Sequence, residues 1–202
     1  MFIDVAERSP IDVYGYLVGI VTPRPIGWVS TVDREGRVNL APFSFFNVFG
    51  ANPPVVVFSP TLRRDGTRKD TLLNVEATGE FVLNAAVESL AEAVNLTSAE
   101  LPPGRSEADL AGLSLVPSVK VAPPRVSDSP AHLECKLLQI VAIGDGPMAA
   151  NLVIGEVVAI HIDDAVIGDD GRVDPRKLKT IARLGGDWYC RTSDLFALKR
   201  PS

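Results

Sequence analysis

The chain has 202 residues, a formal net charge of −5, 46% hydrophobic residues and 22% charged residues. This length predicts one domain, spanning 1–202, that buries a core without disulfides or metals. The acidic balance gives no electrostatic basis for nucleic-acid binding, and no apolar run approaches the roughly 18 residues that a membrane span needs.

Short runs of β-branched and aromatic residues, broken by Gly, Pro and Asn, predict many strands. In chain order we expect strands at 18–21, in a hairpin over 27–41 with a four-residue loop, at 54–59 and at 80–84, then a long hairpin of 131–143 and 152–162. Pro42 predicts an irregular backbone with free N–H groups after the first hairpin.

The helical signals are fewer and shorter than the strand signals. We expect helices at 71–78, capped by Asp70 or Thr71, at 89–96, at 110–113 after Ser106, and from Asp174–Pro175 to about 185. A proline-rich loop fills 99–130. The pattern predicts a mainly β fold, a β-barrel with peripheral short helices, and it disfavours a doubly wound parallel sheet. The Gly-rich nucleotide-binding motifs of Rossmann and P-loop proteins are missing.

Arg24 lies between Pro23 and Pro25, which fix the backbone on both sides. A rigid arginine suits bidentate binding of an anion, although an arginine in an ordinary solvated turn has the same local sequence. Ser30 and Thr31 follow in the predicted strand, where side chains alternate between faces. One of the two hydroxyls therefore points inward and needs a partner from the backbone or from a ligand.

A second cluster, at 39–50, holds four of the eight phenylalanines together with Ser44 and Asn47. Flat apolar walls with a few fixed polar groups suit a planar heteroaromatic ligand. An aromatic core that closes the barrel explains the same residues.

A third cluster, at 63–71, places Arg63, Arg64, Arg68 and Lys69 before a predicted helix start. Helix N-termini bind phosphate through free N–H groups and the helix dipole. A solvated loop capped by Asp70 is the alternative. Together the three clusters describe a ligand with a flat ring and a phosphate, which is the shape of flavin mononucleotide (FMN).

The remaining reactive residues are few. Cys135 and Cys190 form no CxxC motif, so we expect free thiols and a cytoplasmic protein, and the N-terminal residues do not resemble a secretory signal. Only His132 and His161 are present, which excludes a multi-histidine metal centre, and we expect no metal site. His132, close to Glu134, belongs either to a proton relay or to an ordinary strand with satisfied hydrogen bonds.

The chain resembles the flavin reductase-like family of FMN-binding split barrels, in motifs that keep their order along nearly its whole length. The matching stretches are TPRPIGWVST (22–31), NLAPFSFFNVFG (39–50), PPVVVFSP (53–60), RKDTLLNVEATGEFVLN (68–84), HLECKL (132–137) and VIGEVVAIHIDD (153–164). The ending, 183–201, resembles a longer, flavoredoxin-like branch. The resemblance implies a six-stranded split barrel and a homodimer with FMN near its interface.

The same resemblance implies which residues contact FMN. These are Arg24, Ser30 and Thr31, then Ala41, Pro42, Ser44, Phe45, Phe46 and Asn47 along the isoalloxazine ring, Ser59 on the neighbouring strand, and Arg68, Lys69, Asp70 and Thr71 at the phosphate. Short members of the family carry Gly-Asp-His on the nicotinamide side, where this chain has Gly144-Asp145-Gly146.

The expected function is an FMN-dependent oxidoreductase that passes electrons from NAD(P)H to an acceptor, with the cofactor rather than a side chain performing the reaction. Two alternatives stay open. One is a non-catalytic FMN electron carrier that serves a partner protein, and the other is a split-barrel module that binds another ligand such as haem.

Overall fold

The computed structural model describes residues 1–102 and 105–201. Over these residues the helices are α1 (Pro10–Ile20), α2 (Asp70–Thr78), α3 (Ala91–Leu96), α4 (Glu107–Leu110) and α5 (Pro175–Leu178). The strands are β1 (Arg24–Pro25), β2 (Gly27–Val32), β3 (Val38–Phe43), β4 (Phe46–Ala51), β5 (Pro54–Phe58), β6 (Glu80–Ala85), β7 (Leu115–Val116), β8 (Arg125–Val126), β9 (Ala131–Ile143), β10 (Ala150–Ile162), β11 (Ile181–Arg183) and β12 (Tyr189–Arg191).

The main sheet is antiparallel and has the strand order β3-β2-β6-β9-β10-β5-β4. Its two edge strands, β3 and β4, are consecutive in the chain, and only Ser44 and Phe45 separate them. Two residues cannot span a flat seven-stranded sheet, so the sheet curls until its edges meet. This confirms the predicted β-barrel, with one strand more than the resemblance implied.

The predicted hairpins form, and the structure differs from the prediction at Pro42. Strands β2 and β3 pair from Gly27↔Phe43 to Val32↔Val38, and β9 and β10 pair along their whole length. Pro42 does not start an irregular segment but lies inside β3 opposite Trp28, so that prediction is wrong. An edge strand tolerates proline, because its second side needs no ladder donor. Strand β4 was not predicted.

The core has two parts because β2 is covered on both faces. Val29, Phe58 and Phe81 belong to the cluster inside the barrel, which also includes Leu72 and Val75 of α2. Trp28 and Leu40 belong to a second cluster outside it, against α3, α4 and β8. Side chains alternate along a strand, so consecutive residues of β2 enter different clusters.

The predicted strand at 18–21 is wrong, because its residues continue helix α1. Ser9 caps that helix by accepting a hydrogen bond from the Asp12 N–H (3.2 Å), and Pro10 occupies its first position. These are strong start signals, and they outweigh the β-branched residues that follow.

The other helices also differ at their ends. Gly79, with φ of 72°, closes α2 as predicted, but the capping residue is Lys69, which makes no side-chain cap bond. Asp174 caps α5 as predicted, and α5 then ends at Lys179 (φ 50°), so its predicted extension to about 185 is wrong. Helix α4 begins three residues before the predicted 110–113 and ends at Leu110, and a 3-10 turn at Glu88–Leu90 precedes α3.

The described residues contain neither a membrane-spanning helix nor a cluster of metal-ligating side chains. No helix there has the length and apolar character needed to cross a membrane. Within 1–102 and 105–201, no group of three or more His, Cys, Asp or Glu residues is arranged to hold a metal ion.

Candidate functional site

A cavity of about 140 Å³ lies between edge strand β3 and the N-terminus of α2. We call it the α2 cavity. Five of the predicted contact residues line it together: Ala41, Pro42, Lys69, Asp70 and Thr71. Its other lining residues are Asn39, Phe43, Arg63, Thr97, Ser98, Ala99, Glu100, Leu101 and Glu107. The volume accommodates a phosphate and part of a polyol chain, and a larger ligand extends out of it.

Lys69 is the central cation of the α2 cavity. Its side chain is half-buried, with Nζ 5.5 Å from the centroid of the Phe43 ring. Among the described residues, no carboxylate oxygen lies within 4.0 Å of Nζ. Burial, and then the charge of Arg63, lowers the pKa of Lys69. A poorly solvated cation without a counter-ion favours an anionic ligand at this position.

The first turn of α2 supplies backbone donors beside Lys69. No acceptor within the described residues receives a hydrogen bond from the N–H of Asp70 or of Thr71. The positive end of the helix dipole faces the same space. Free N–H groups, a helix N-terminus and a lysine together form a phosphate-binding arrangement.

Arg63, and not Arg68, is the arginine of the α2 cavity. Arg63 donates to Asp70 Oδ2 (3.1 Å) and to the backbone carbonyl of Arg68. The Arg68 side chain instead pairs with Glu76 on the second turn of α2, and it does not line the cavity. Both arginines stand in one basic run, and the path of the loop decides which of them faces the cavity.

Thr31 supports the cavity from behind. Its fully buried hydroxyl accepts hydrogen bonds from Asn74 Nδ2 (3.1 Å) and Asn39 Nδ2 (3.4 Å), and Asn39 also donates to Thr71 Oγ1 (2.8 Å). The inward hydroxyl predicted in β2 therefore has side-chain partners. Ser30 lies on the opposite face of the strand and donates to the Pro124 carbonyl (2.5 Å).

The Arg24 guanidinium is bonded to neutral acceptors of the protein itself. Its buried guanidinium donates to the carbonyls of Val18 (2.5 Å), Val21 (2.8 Å) and Leu184 (2.9 Å), and to Ser44 Oγ (3.3 Å). The first two acceptors lie at the C-terminal end of α1, where carbonyls lack helical partners. Burial lowers the pKa of Arg24. Arg24 and Ser44 thus join α1 to the barrel, and neither lines the α2 cavity.

The remaining predicted contacts lie on the β4 side of the barrel. Phe45 packs edge-on against Tyr14, with ring centroids 6.2 Å apart, and Asn47 Oδ1 accepts a hydrogen bond from the Val48 N–H (2.8 Å). Ser59 Oγ is buried and accepts from the Asn151 N–H (3.3 Å). Phe46 lines a different cavity. The structure therefore does not bring these four residues to the α2 cavity.

The link between β3 and β4 offers two further backbone donors. The N–H groups of Ser44 and Phe45 have no acceptor within the described part of the chain. The sequence predicted free N–H groups over 42–47, and this pair agrees with that expectation although Pro42 itself is in a strand. The link follows Phe43, which lines the α2 cavity.

Sequence reasoning missed three parts of this site. Arg63 carried a signal, since it belongs to the basic run. The segment 97–101 showed only the start of a proline-rich loop. Glu107, buried in the cavity wall, accepts from the Leu40 N–H (3.1 Å), and burial raises its pKa. Only the fold shows that these segments approach β3.

Comparison with known proteins assigns this arrangement to a family. A family model described as the flavin reductase like domain matches residues 20–176. An uncharacterized protein of Halalkalibacterium halodurans is 42% identical over 191 residues, which cover 94% of this chain and 91% of that protein.

Two solved structures are similar along nearly their whole length. Nitrilotriacetate monooxygenase component B from Bacillus cereus superposes with a TM-score of 0.92 at 38% identity, covering 98% of each chain. The 2-nitrobenzoate 2-nitroreductase of Pseudomonas fluorescens superposes with a TM-score of 0.89 at 34% identity, covering 100% of this chain and 97% of that one.

Proposed function

The chain belongs to the flavin reductase-like domain family, and from this premise we propose that it binds FMN non-covalently and passes electrons from NAD(P)H to an acceptor. The observation that carries the proposal is that Lys69, Arg63 and the start of α2, with its free N–H groups, line one cavity. Lys69, Arg63 and the free N–H groups of α2 fit a phosphate monoester, which is the end that FMN has and free riboflavin lacks.

Residues in the cavity wall and in the adjacent β3–β4 link bind different parts of FMN in this proposal. Lys69 and the first turn of α2 hold the phosphate. Asn39 and Thr71, already hydrogen-bonded to each other, contact the polyol chain. The N–H groups of Ser44 and Phe45 donate to the polar edge of the ring. Bound FMN supplies the two-electron redox chemistry, and the protein fixes its position and electrostatic environment.

The two similar solved structures support a redox role. One is named as a monooxygenase component and the other as a nitroreductase. In this chain Gly144-Asp145-Gly146 stands where short family members have a histidine on the nicotinamide side. For that reason a non-catalytic FMN electron carrier is the second function to test.

The purified FMN-loaded protein distinguishes the enzyme from the carrier. We expect the flavin absorbance band to bleach rapidly on mixing with NADH or NADPH without oxygen. A band that persists with both nucleotides, but disappears with dithionite, would show a carrier. A colourless protein that takes up no added FMN would contradict both functions.

The phosphate assignment has its own test. We expect Lys69→Ala combined with Thr71→Ala to weaken FMN binding at least tenfold, about 1.4 kcal/mol. Arg68→Ala is the matched control, because Arg68 pairs with Glu76 and should leave the affinity unchanged. Fluorescence quenching of FMN measures each affinity. Equal losses in the two proteins would show that the phosphate lies elsewhere.

We also propose that the chain forms a homodimer. Apolar side chains of α1 and β4 are exposed, and Tyr14 of α1 packs against Phe45, the residue directly before β4. We call this surface the α1–β4 patch; its most exposed members are Ile11, Leu17, Ile20, Val48 and Phe49. An exposed apolar edge strand needs a cover, and a second copy of the chain supplies one.

Haem is less well supported as the ligand. The Nε2 atoms of both histidines are engaged, that of His132 with the Val126 carbonyl (2.9 Å) and that of His161 with Glu134 (2.6 Å). Axial ligation through Nε2 would break one of these contacts.

Both cysteines are free thiols, which agrees with the proposed cytoplasmic location.

A further inference from the structure

The last described residues, 193–201, form an arm that the rest of the chain does not hold. Within the part of the chain that the structure describes, no hydrogen bond joins this arm to another segment. Every residue of the arm is exposed, and three of them are large and apolar: Leu195, Phe196 (85% exposed) and Leu198 (83% exposed). Apolar side chains grouped on an exposed segment mark a surface that contacts another molecule. We call this segment the 193–201 arm.

A second cavity, of about 400 Å³, lies where the arm begins. Thr192, the residue before the arm, belongs to its wall and is fixed there by a hydrogen bond from its N–H to the Thr180 carbonyl (3.2 Å). The cavity shares no lining residue with the α2 cavity. We call it the barrel-end cavity. Its wall is mostly apolar and includes Pro25, Ile26, Phe46, Leu83, Leu133 and Ile181.

The strand register shows which side chains form the floor of the barrel-end cavity. Leu83 of β6 pairs with Leu133 of β9, and both pack in the cluster inside the barrel. Side chains alternate along a strand, so Ala85 and Ala131, each two residues away, face the same side. The floor of the cavity is therefore apolar, and it suits an apolar side chain or ring.

The barrel-end cavity lies beside the surface proposed for the dimer. Phe46, in its wall, is the first residue of β4, and Pro23 follows the end of α1. The hairpin of β11 and β12, from which the arm leaves, packs on α1, where a Cβ added at Gly185 would lie 3.3 Å from Gly19 Cα. A second copy seated on the α1–β4 patch therefore lies close to both the arm and the cavity.

We propose that Phe196 of one copy inserts into the barrel-end cavity of a second copy, and that the second copy's arm makes the reciprocal contact. This inference rests on the homodimer proposed above. In a two-fold symmetric dimer the same contact occurs twice. The insertion removes an exposed aromatic ring from water and fills an apolar cavity in one step.

The short distance along the chain favours the second copy over the arm's own cavity. Only three residues, 193–195, separate Thr192 in the wall from Phe196. Phe196 could enter its own cavity only if those three residues reversed the direction of the chain. In the single chain they do not, since Phe196 is exposed to solvent.

The first test measures the stability of the dimer. We expect Phe196→Ala to raise the dimer dissociation constant at least tenfold, because each dimer loses two buried rings. Ala131→Leu, which fills the cavity, should have a similar effect, and adding Phe196→Ala to it should cause no further loss. Leu110→Ala and Ala142→Leu, at exposed positions of α4 and β9, are the matched controls and should leave the constant unchanged.

Sedimentation over a dilution series gives each dissociation constant. An unchanged constant in Phe196→Ala would overturn the proposal. Additive losses in the double variant would also overturn it, because they would show that Phe196 and the cavity act independently.

A disulfide test shows which copy holds the arm. Its background is Cys190→Ser, which removes the half-buried thiol and leaves the buried Cys135. Chains with Ala131→Cys are co-expressed with differently tagged chains that carry Phe196→Cys, and the dimers are oxidised with copper phenanthroline. We expect a disulfide that joins the two tags, and none when Leu110→Cys replaces Ala131→Cys.

The outcomes separate this contact from the homodimer itself. A wild-type protein with the mass of a monomer would contradict both. A dimeric wild type whose mixed chains form no disulfide between the tags would overturn the arm contact alone. With Ala131→Cys and Phe196→Cys in the same chain, a disulfide confined to that chain would place the arm in its own cavity and would also overturn the proposal.

Discussion

Glu134 is fully buried, and three donors converge on its carboxylate. The N–H groups of Val119 (2.8 Å) and Lys120 (2.6 Å) come from the long loop, and His161 Nε2 lies 2.6 Å from Oε1. Burial alone would raise the pKa of Glu134, but these hydrogen bonds outweigh it and the pKa is lowered. The carboxylate thus fastens the loop to strand β9.

These pKa shifts determine how the stability of the folded protein changes as the pH falls. The folded-state pKa of Glu134 lies below its ordinary 4.5, so its contribution to stability is full above pH 4.5 and is lost as the pH falls through the lower value. His132 acts in the same direction from pH 6.5 downward, because burial lowers its pKa also.

We expect Glu134→Gln to reduce the free energy of unfolding at pH 7 by about 3 kcal/mol and to flatten the stability loss below pH 4.5. The amide N–H₂ group of glutamine opposes a backbone donor that the carboxylate accepted. Thermal melts between pH 3 and 7 measure both effects. Glu92→Gln, at an exposed position of α3, should lose stability below pH 4.5 as the wild type does. The same loss of stability below pH 4.5 in Glu134→Gln would contradict this account.

At the residue scale, the sequence predicts which types of residue form the site better than it predicts where their side chains point. The basic run before α2 predicted a phosphate site, and Lys69, Asp70 and Thr71 do line one cavity. Arg24 and Arg68 could not be separated from Arg63 by type, because their partners are the end of α1 and Glu76. Those partners are known only once the helices are placed.

At the scale of elements, the β9–β10 hairpin is the longest unit, and it is not regular. Its register shifts between Ile154 and Gly155, directly over the buried ring of Phe81. A Cβ added at Gly155 would lie 2.6 Å from Phe81 Cε1. The hairpin therefore accepts the ring only because this position has no side chain.

We expect Gly155→Ala to lower the free energy of unfolding by about 2 kcal/mol, because a buried aromatic ring has little room to move. Gly15→Ala is the matched control: nothing lies within 4 Å of the added Cβ, and the site is inside α1. That change should stabilise the protein by about 0.5–1 kcal/mol. Denaturant unfolding measures both. A Gly155→Ala protein as stable as the wild type would refute the contact.

Element predictions succeeded where a pattern was long and failed where signals competed. The long run at 131–143 predicted β9 to the residue. The run at 18–21 has β-branched residues but belongs to a helix whose start signals, Ser9 and Pro10, stand farther upstream. Strand β4 holds two of the four clustered phenylalanines, Phe46 and Phe49, and only its pairing with β5 shows that it is a strand.

At the scale of the whole molecule, the α1–β4 patch is an apolar surface that a single chain leaves exposed. Leu17, Ile20, Val48 and Phe49 are each more than half exposed. Burying such side chains against a second copy favours association at about 25 cal/mol per Å² of apolar surface, before the entropy of association is counted.

We expect Phe49→Lys to shift the protein from dimer to monomer, because a desolvated lysine opposes burial of the α1–β4 patch. Size-exclusion chromatography with light scattering, over a dilution series, gives the mass. Leu73→Lys, at an exposed position of α2 outside the patch, should leave the mass unchanged. If both variants stay dimeric, the interface lies on another surface.

The two-residue link at Ser44 and Phe45 also acts as a mechanical tether. Three peptide steps join Phe43 to Phe46, so the Cα atoms of these residues cannot separate by more than roughly 11 Å, however the edges of the barrel move. Phe43 lines the α2 cavity, and Phe46 lines a separate cavity together with Gly27 and Leu83. The two walls are therefore joined by one short link, and they can move apart only as far as that link can extend.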